Sequence, residues 1–189
     1  MTVFGIPGLL YIPGYISPTR HDELLREIDA QPWRGDLARR TQHYGYVYDY
    51  RAKKVDAAAF VGALPPWLQP IADQLHLDQL IDHAPDQAII NEYEPGQGIA
   101  SHVDCVPCFG NAVISLSLGS AVVMDFKRQE RHIPVLLEPC GLVVLRQQAR
   151  YEWTHGIAKR RSDTYNGQRI ERGRRISITF RTVVLAADA

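Results

Sequence analysis

The rhythm of apolar and polar positions changes near residue 87, separating a helical opening from a strand-rich remainder. Ser17-Pro18-Thr19 precedes Leu24, Leu25 and Ile28 at helical spacing. Ser17 or Thr19 can cap that segment and Pro18 suits its first turn, which predicts a helix over 19–30. A second, shorter helix is predicted from Pro65-Pro66 through Trp67, Leu68, Ile71, Ala72 and Leu75. After Gln87 the chain breaks into β-rich runs at 88–94, 112–118, 121–126, 133–137, 142–146 and 175–184. Their turns are Pro95-Gly96-Gln97-Gly98, Gly119-Ser120 and Pro139-Cys140-Gly141. Six such runs without helices between them predict a mainly β domain, a sandwich, barrel or jelly roll, rather than a parallel α/β sheet.

Within the opening half, residues 39–50 are both aromatic and basic. Tyr44, Tyr46, Tyr48 and Tyr50 recur with period two and are expected on one face of a strand, beside Arg39, Arg40 and His43. Half-buried sheet tyrosines have this spacing. So does a lid whose aromatic rings stack on unpaired bases while its arginines contact phosphate.

The 189 residues fit one domain with a full core. The first half holds no apolar run of membrane-spanning length, and Met1-Thr2-Val3-Phe4 lacks a basic secretory start, so the expectation is a soluble, cytoplasmic protein. Three cysteines, Cys105, Cys108 and Cys140, do not make a disulfide framework, and ordinary thiols in a reducing compartment are expected. Cys105-Val-Pro-Cys108 nevertheless has C-x-x-C spacing, and it directly follows His102 and Asp104, residue types that ligate redox-active metals, whose oxidants attack thiols. Net charge is zero, yet residues 1–100 carry a net −5 and residues 101–189 a net +5. Basic clusters at Lys127-Arg128 with Arg131, at Lys159-Arg160-Arg161, and at Arg169, Arg172, Arg174 and Arg175 can follow a phosphate backbone or simply face solvent.

The chemistry centres on His102-Val103-Asp104. On an extended strand both side chains of an H-x-D pair share a face, and one further imidazole completes a site. Two histidines and a carboxylate on one face of an octahedral metal leave open positions, the arrangement of non-haem Fe(II) oxygenases. His155 is the expected third ligand; His132, in a polar stretch, is the rival. Asn91 and Tyr93 share one strand face, and Arg175, Ser177, Thr179 and Arg181 share another. A fixed guanidinium suits the remote carboxylate of a dicarboxylate such as 2-oxoglutarate. If the arginines point outward, Ile176, Ile178 and Phe180 point inward instead; periodicity leaves both faces open.

Asn91-Glu-Tyr93-x-Pro-Gly, His102-Val-Asp104, Arg150-Tyr-Glu-Trp-Thr-His155-Gly-Ile and Arg175-x-Ser-x-Thr-Phe-Arg181 together resemble the AlkB family of Fe(II)/2-oxoglutarate dioxygenases. Gly8-Leu-Leu-Tyr-Ile-Pro-Gly and the Arg39-Arg40 to Tyr46 segment extend the likeness. Ser115-Leu-Ser-Leu-Gly-Ser and Trp153-Thr-His155-Gly-Ile are most similar to the oxygenase domain of eukaryotic tRNA wobble-uridine hydroxylases.

The resemblance implies a double-stranded β-helix, or jelly roll, over 88–184, preceded by N-terminal helices and a nucleotide-recognition lid over 1–87. It implies Fe(II) held by His102, Asp104 and His155. Arg175 and Tyr93 would meet the remote carboxylate of 2-oxoglutarate, and Arg181 and Asn91 its chelating end. Ser177 stands where AlkB itself has an asparagine. No separate acid or base residue is implied, since iron and dioxygen carry the oxidation.

The implied partner is single-stranded DNA, RNA or tRNA, met by Arg39, Arg40, Tyr44, Tyr46, Tyr48 and the residue two places after the iron-binding Asp. In AlkB-type repair enzymes that last residue is acidic and contacts an exocyclic amine; here it is Val106, which accepts no hydrogen bond. Oxidative demethylation of alkylated bases, hydroxylation of a wobble-uridine side chain, and protein or small-molecule hydroxylation all remain compatible with the same machinery. No membrane and no obligate protein partner are implied.

Overall fold

The Ser17 cap and the apolar stripe behind it form a helix. In the computed structural model, which describes residues 4–35, 38–49, 51–52 and 54–185, α1 spans Pro18–Asp29. Ser17 Oγ accepts from the Arg20 amide at 3.2 Å, and Leu24 and Ile28, one turn apart, are fully buried. The next helix, α2 (Gln69–Leu77), starts later than Pro65-Pro66 predict. Those prolines first make a turn, the amides of Leu68 and Gln69 both donating to the Pro65 carbonyl. Among the described residues no helix is long and apolar enough to cross a membrane.

Two antiparallel sheets face each other in a jelly roll. The larger contains β1 (Leu9–Ile12), β2 (Thr41–Tyr46), β3 (Phe60–Gly62), β4 (Gln87–Tyr93), β6 (Phe109–Gly119), β9 (Leu142–Leu145) and β13 (Arg175–Val183). Their order across the sheet is β1-β9-β6-β13-β4-β2-β3. The smaller runs β5-β10-β7-β8, from β5 (Ile99–His102), β7 (Val122–Arg128), β8 (Arg131–Leu137) and β10 (Thr154–Ile157). A hairpin of β11 (Ser162–Tyr165) and β12 (Gln168–Glu171) and a short helix, α3 (Gln147–Tyr151), complete the chain. The N-terminal segment thus supplies strands as well as helices: β1 pairs with β9 and β2 with β4. Four residues in β1 are too few to show a period.

The large sheet is buried on both faces. Ile90, Ile114, Leu116, Leu118, Val144, Ile176, Ile178 and Phe180 pack under α1 and α2 with Leu24, Ile28, Ile71 and Leu75. Tyr93, Val113, Val143 and Leu145 face the other way, against Val122, Met124, Phe126, Val135 and Leu137 of the small sheet. This settles β13: Ile176, Ile178 and Phe180 take the helix side, and Arg175, Ser177 and Thr179 are buried on the side between the sheets. Neither choice that periodicity left open exposes a face to water, because helices cover one and the second sheet the other.

Candidate metal centre and its co-substrate pocket

His102 and His155 are directly paired residues on β5 and β10, their ring centroids 4.5 Å apart. Close approach of the two strands depends on Gly156: a Cβ there would lie 2.8 Å from the Ser101 amide nitrogen and 3.0 Å from the Ile99 carbonyl oxygen. Asp104 lies just past β5 rather than on it, and its Oδ2 is 3.3 Å from His155 Nε2. The three side chains bring one ligand atom each to within 4.8 Å of one another. His102 Nδ1 donates to the Ala100 carbonyl at 2.9 Å, which leaves Nε2 for a metal. His132 is elsewhere, paired with Asp125 at 2.7 Å.

Charge at this cluster favours a cation. Burial pushes the Asp104 carboxyl up, but the Arg181 guanidinium at 2.5 Å and the two imidazoles outweigh it, so the group lies well below the usual carboxylate range. Burial and the neighbouring His155 lower His102, keeping its imidazole neutral and able to ligate.

Behind the triad, strand register gathers a second set of polar groups. Arg175 stands opposite Tyr93 on β4, and Ser177 opposite Asn91 on β4 and Ser117 on β6. Arg175 is 3% exposed, and among the described residues its side chain makes one hydrogen bond, from Nη2 to Ser117 Oγ at 3.1 Å, with the Tyr93 ring 5.5 Å from its guanidinium carbon. Its Nε and Nη1 have no partner, and burial pulls its pKa down to about 10. A buried, unneutralised guanidinium is unfavourable unless an anion meets it. Ser177 Oγ is occupied by Ser115 Oγ at 2.7 Å.

The sequence pattern of the 2OG-Fe(II) oxygenase superfamily matches residues 8–181. The chain belongs to that superfamily. It is of the AlkB type. The oxygenase is 38% identical over 181 residues to uncharacterized protein L905 of Acanthamoeba polyphaga mimivirus, covering 94% of this chain and 85% of the viral protein. It is also 38% identical to the mouse tRNA (carboxymethyluridine(34)-5-O)-methyltransferase ALKBH8, covering 94% of this chain but only 30% of that longer protein. The solved structure of OsALKBH1 superposes with a TM-score of 0.68 over 93% of this chain at 16% identity, a likeness of fold.

The oxygenase therefore uses Fe(II), 2-oxoglutarate and dioxygen, and its residues fit them. The two imidazoles and the ionised carboxylate suit the metal, and the orphaned nitrogens of Arg175 suit the remote carboxylate of the co-substrate.

The lid is only partly as its period predicts. Gly45 adopts φ +76°, where any Cβ would collide with the Asp86 carbonyl, and the pairing of β2 with β3 slips between Gly45 and Tyr46. Alternation breaks there, so the tyrosines do not share a face. Tyr44 packs edge-on against Trp67 at 5.5 Å, on the helix side. Tyr46 packs on Phe60 at 5.0 Å, whereas Tyr48 reaches Phe109 at 5.6 Å, beside the metal cluster. Tyr50 lies outside the described residues.

Two adjacent arginines diverge in the same way. Arg39 donates to Asn91 Oδ1 at 2.7 Å, with its guanidinium carbon 5.8 Å from the Tyr93 ring. Arg40 turns to the helix side, where it pairs with buried Glu92 at 2.5 Å and lies over Trp33 at 4.9 Å. It is thereby turned to the face of β4 opposite the His102, Asp104 and His155 cluster.

Five of the ten residues in the basic clusters are likewise paired with carboxylates. Arg172 and Arg160 meet buried Asp163, Arg174 meets Asp29 and Glu92, Arg128 meets Glu152, and Arg169 meets Glu171. The pairs of Arg172, Arg160 and Arg174 with buried Asp163 and Glu92 brace the fold, whereas that of Arg169 with Glu171 is exposed. The expectation of three ordinary thiols also fails: Cys105 and Cys108 are joined by a disulfide, and only Cys140 is free. Three residues apart across one tight turn, the pair needs no framework. Val106, 49% exposed, sits on the tip they close.

Two contributors escaped sequence reasoning. Ser117 was visible in the Ser115-Leu-Ser117-Leu alternation, but its partner Arg175 is 58 residues away. Arg150 is 2% exposed and meets no carboxylate among the described residues; it donates to the backbone carbonyls of Asp104, Cys105, Phe109 and Gly110, fixing the loop that carries Asp104. An arginine serving carbonyls leaves no charge pattern in the sequence.

Proposed function

We infer that this AlkB-type oxygenase oxidises an alkyl group on a base of single-stranded or looped nucleic acid. The observation that carries the reading is the convergence of Arg39 and Tyr48 from the lid on the two flanks of the metal cluster. Arg39 reaches Asn91 and Tyr93, and Tyr48 stacks on Phe109, whose ring is 4.6 Å from the Arg181 guanidinium paired with Asp104. An aromatic ring and a guanidinium across a metal are what an unstacked base needs for stacking and for its phosphate.

Fe(II) with 2-oxoglutarate and dioxygen supplies oxidation of a C–H bond, the co-substrate leaving as succinate and carbon dioxide. The protein's own groups position. Arg175 anchors the remote carboxylate, and Arg181 keeps Asp104 ionised and turned. Asn91, held by Arg39, lies between the co-substrate pocket and the lid. Hydroxylation of an N-methyl carbon gives an N-hydroxymethyl group whose C–N bond then breaks, releasing formaldehyde and the protonated, demethylated nitrogen, and the same step on a stable side chain leaves a hydroxylated one. Val106 in place of an acidic residue supports bases without an exocyclic amine, and the name of the mouse relative makes tRNA one substrate to test.

The test is succinate formation by Fe(II)-loaded protein with methylated single-stranded DNA, methylated RNA, whole tRNA or no nucleic acid, with products read by mass spectrometry. Stimulation by one nucleic acid with loss or hydroxylation of its modification is expected, and Tyr48→Ala raises its KM while uncoupled turnover persists. Turnover that no nucleic acid stimulates would refute the reading and direct the search to protein or small-molecule substrates.

A further inference from the structure

The chemistry above leaves the Cys105–Cys108 disulfide without a task, although its segment begins at the residue after Asp104 and ends where β6 starts. The geometry points to a reversible thiol–disulfide exchange site at the rim of the metal centre, serving cellular dithiols and low-molecular-weight disulfides.

Three observations carry this. The two sulfurs are unequally placed: Cys105 is half-buried beside exposed Val106 and Pro107, whereas Cys108 is 5% exposed. An incoming thiol therefore meets Cys105 first, with Cys108 as the leaving sulfur. Secondly, the bond closes a loop of only a few residues, so it restricts the unfolded chain little, and the fold tolerates its loss. Thirdly, the loop is tied down independently of the sulfurs. Arg150 Nη1 donates to the Asp104 carbonyl at 2.9 Å, and its Nη2 to those of Cys105 at 3.1 Å and Phe109 at 3.3 Å. At the far end the Val184 amide donates to the Cys108 carbonyl at 2.9 Å. Opening the disulfide thus frees the Val106-Pro107 tip and leaves Asp104 seated.

In the reductive direction a thiolate bonds to Cys105 Sγ, the Cys105–Cys108 bond breaks, and Cys108 leaves with the electron pair and takes a proton. A second thiol then attacks the mixed disulfide, releasing Cys105 as a thiol and the reductant as its disulfide. Two electrons and two protons pass to the protein, and oxidised glutathione reverses the exchange with release of two glutathione thiols. Cys140, in the turn between β8 and β9, is not a participant.

The full chain is equilibrated in graded mixtures of reduced and oxidised glutathione, quenched in acid, alkylated under denaturing conditions and weighed. The expected result is one transition in which Cys105 and Cys108 gain alkyl groups together while Cys140 is alkylated throughout. In the reduced protein, and in a Cys105→Ser/Cys108→Ser variant, amide exchange at residues 105–108 rises by about 10-fold, whereas Mn(II) affinity stays within about twofold. A pair that remains dithiol in oxidised glutathione, or disulfide in reduced glutathione until unfolded, overturns the proposal. So does Mn(II) affinity that shifts as strongly as the exchange, since the bond then belongs to the metal site.

Discussion

One carboxylate faces two demands: Asp104 Oδ1 accepts from Arg181 Nη2 at 2.5 Å, while its Oδ2 lies 3.3 Å from His155 Nε2. Arg181 lowers the carboxyl and leaves the other oxygen toward the metal position. Arg181→Met removes the first effect without touching a ligand. Mn(II) affinity at pH 7 is expected to fall about 10-fold, as when a supporting partner of a metal ligand is lost. Asp104 then protonates at higher pH, so metal loss on acidification also begins at higher pH. Titrations at pH 5 and pH 7 check this; an unchanged acid limit would count against it.

Arg175 is the anchor expected for 2-oxoglutarate, and its removal separates binding from stability. Arg175→Met should weaken 2-oxoglutarate binding to the Mn(II)-loaded protein by about 10- to 100-fold, the range of a lost charge-assisted hydrogen bond. Thermal stability without co-substrate should be unchanged or higher, because the substitution removes an unneutralised buried cation. Calorimetry and a melting curve on the same sample suffice. Intact binding would show that another cation holds the carboxylate.

Gly156→Ala tests whether strand spacing sets the metal site. The added methyl meets Ser101 backbone atoms at 2.8 and 2.9 Å, so β5 must move away from β10 and carry His102 from His155. Overpacking of this kind costs about 1–3 kcal/mol, and metal affinity is expected to fall with it. Equal metal affinity in the variant would mean that the ligands adjust independently of the strands.

Asp163 governs an acid-sensitive part of the fold. Burial alone would raise its carboxyl, but Arg172, the Val123 amide and Arg160 together hold it below the ordinary range. A carboxyl depressed on folding stabilises fully above its unfolded value of about 3.8 and ceases to do so as pH falls through the folded value. Asp163→Asn should therefore lose about 3 kcal/mol at pH 7, leaving Arg172 buried without its partner. The gap to the parent protein should narrow below pH 4. Urea denaturation at both pH values decides it.

How much of this was legible depended on the range of the interaction involved. His102, His155, Arg175 and Tyr93 could be selected because local alternation and motif spacing mark them, and Leu24 and Ile28 announce their helix in the same way. Register across strands was not legible, since Ser117 meets Arg175 only after β6 and β13 pair. Tyr44 and Tyr48 were wrongly placed together because one glycine with positive φ cancels a period. Arg40 was misread because its carboxylate, Glu92, is 52 residues away on the hidden side of β4. Arg174 looked free for the same reason, its partners Asp29 and Glu92 lying 145 and 82 residues away, whereas Arg160 and Arg169 have partners close in the sequence. The disulfide could not be told from a pair of thiols, because spacing alone does not report oxidation state.

Strand β13, covered on both sides, sorts its positions by parity. From 175 to 180, odd numbers carry the buried polar residues that face the small sheet, Arg175 of the proposed co-substrate pocket among them, and even numbers the apolar residues beneath the helices. A substitution scan along this strand is therefore two interleaved experiments, one reading affinity and the other melting temperature. Sequence drift within the family can revise the odd register to suit a new reactant while the even register keeps the domain folded.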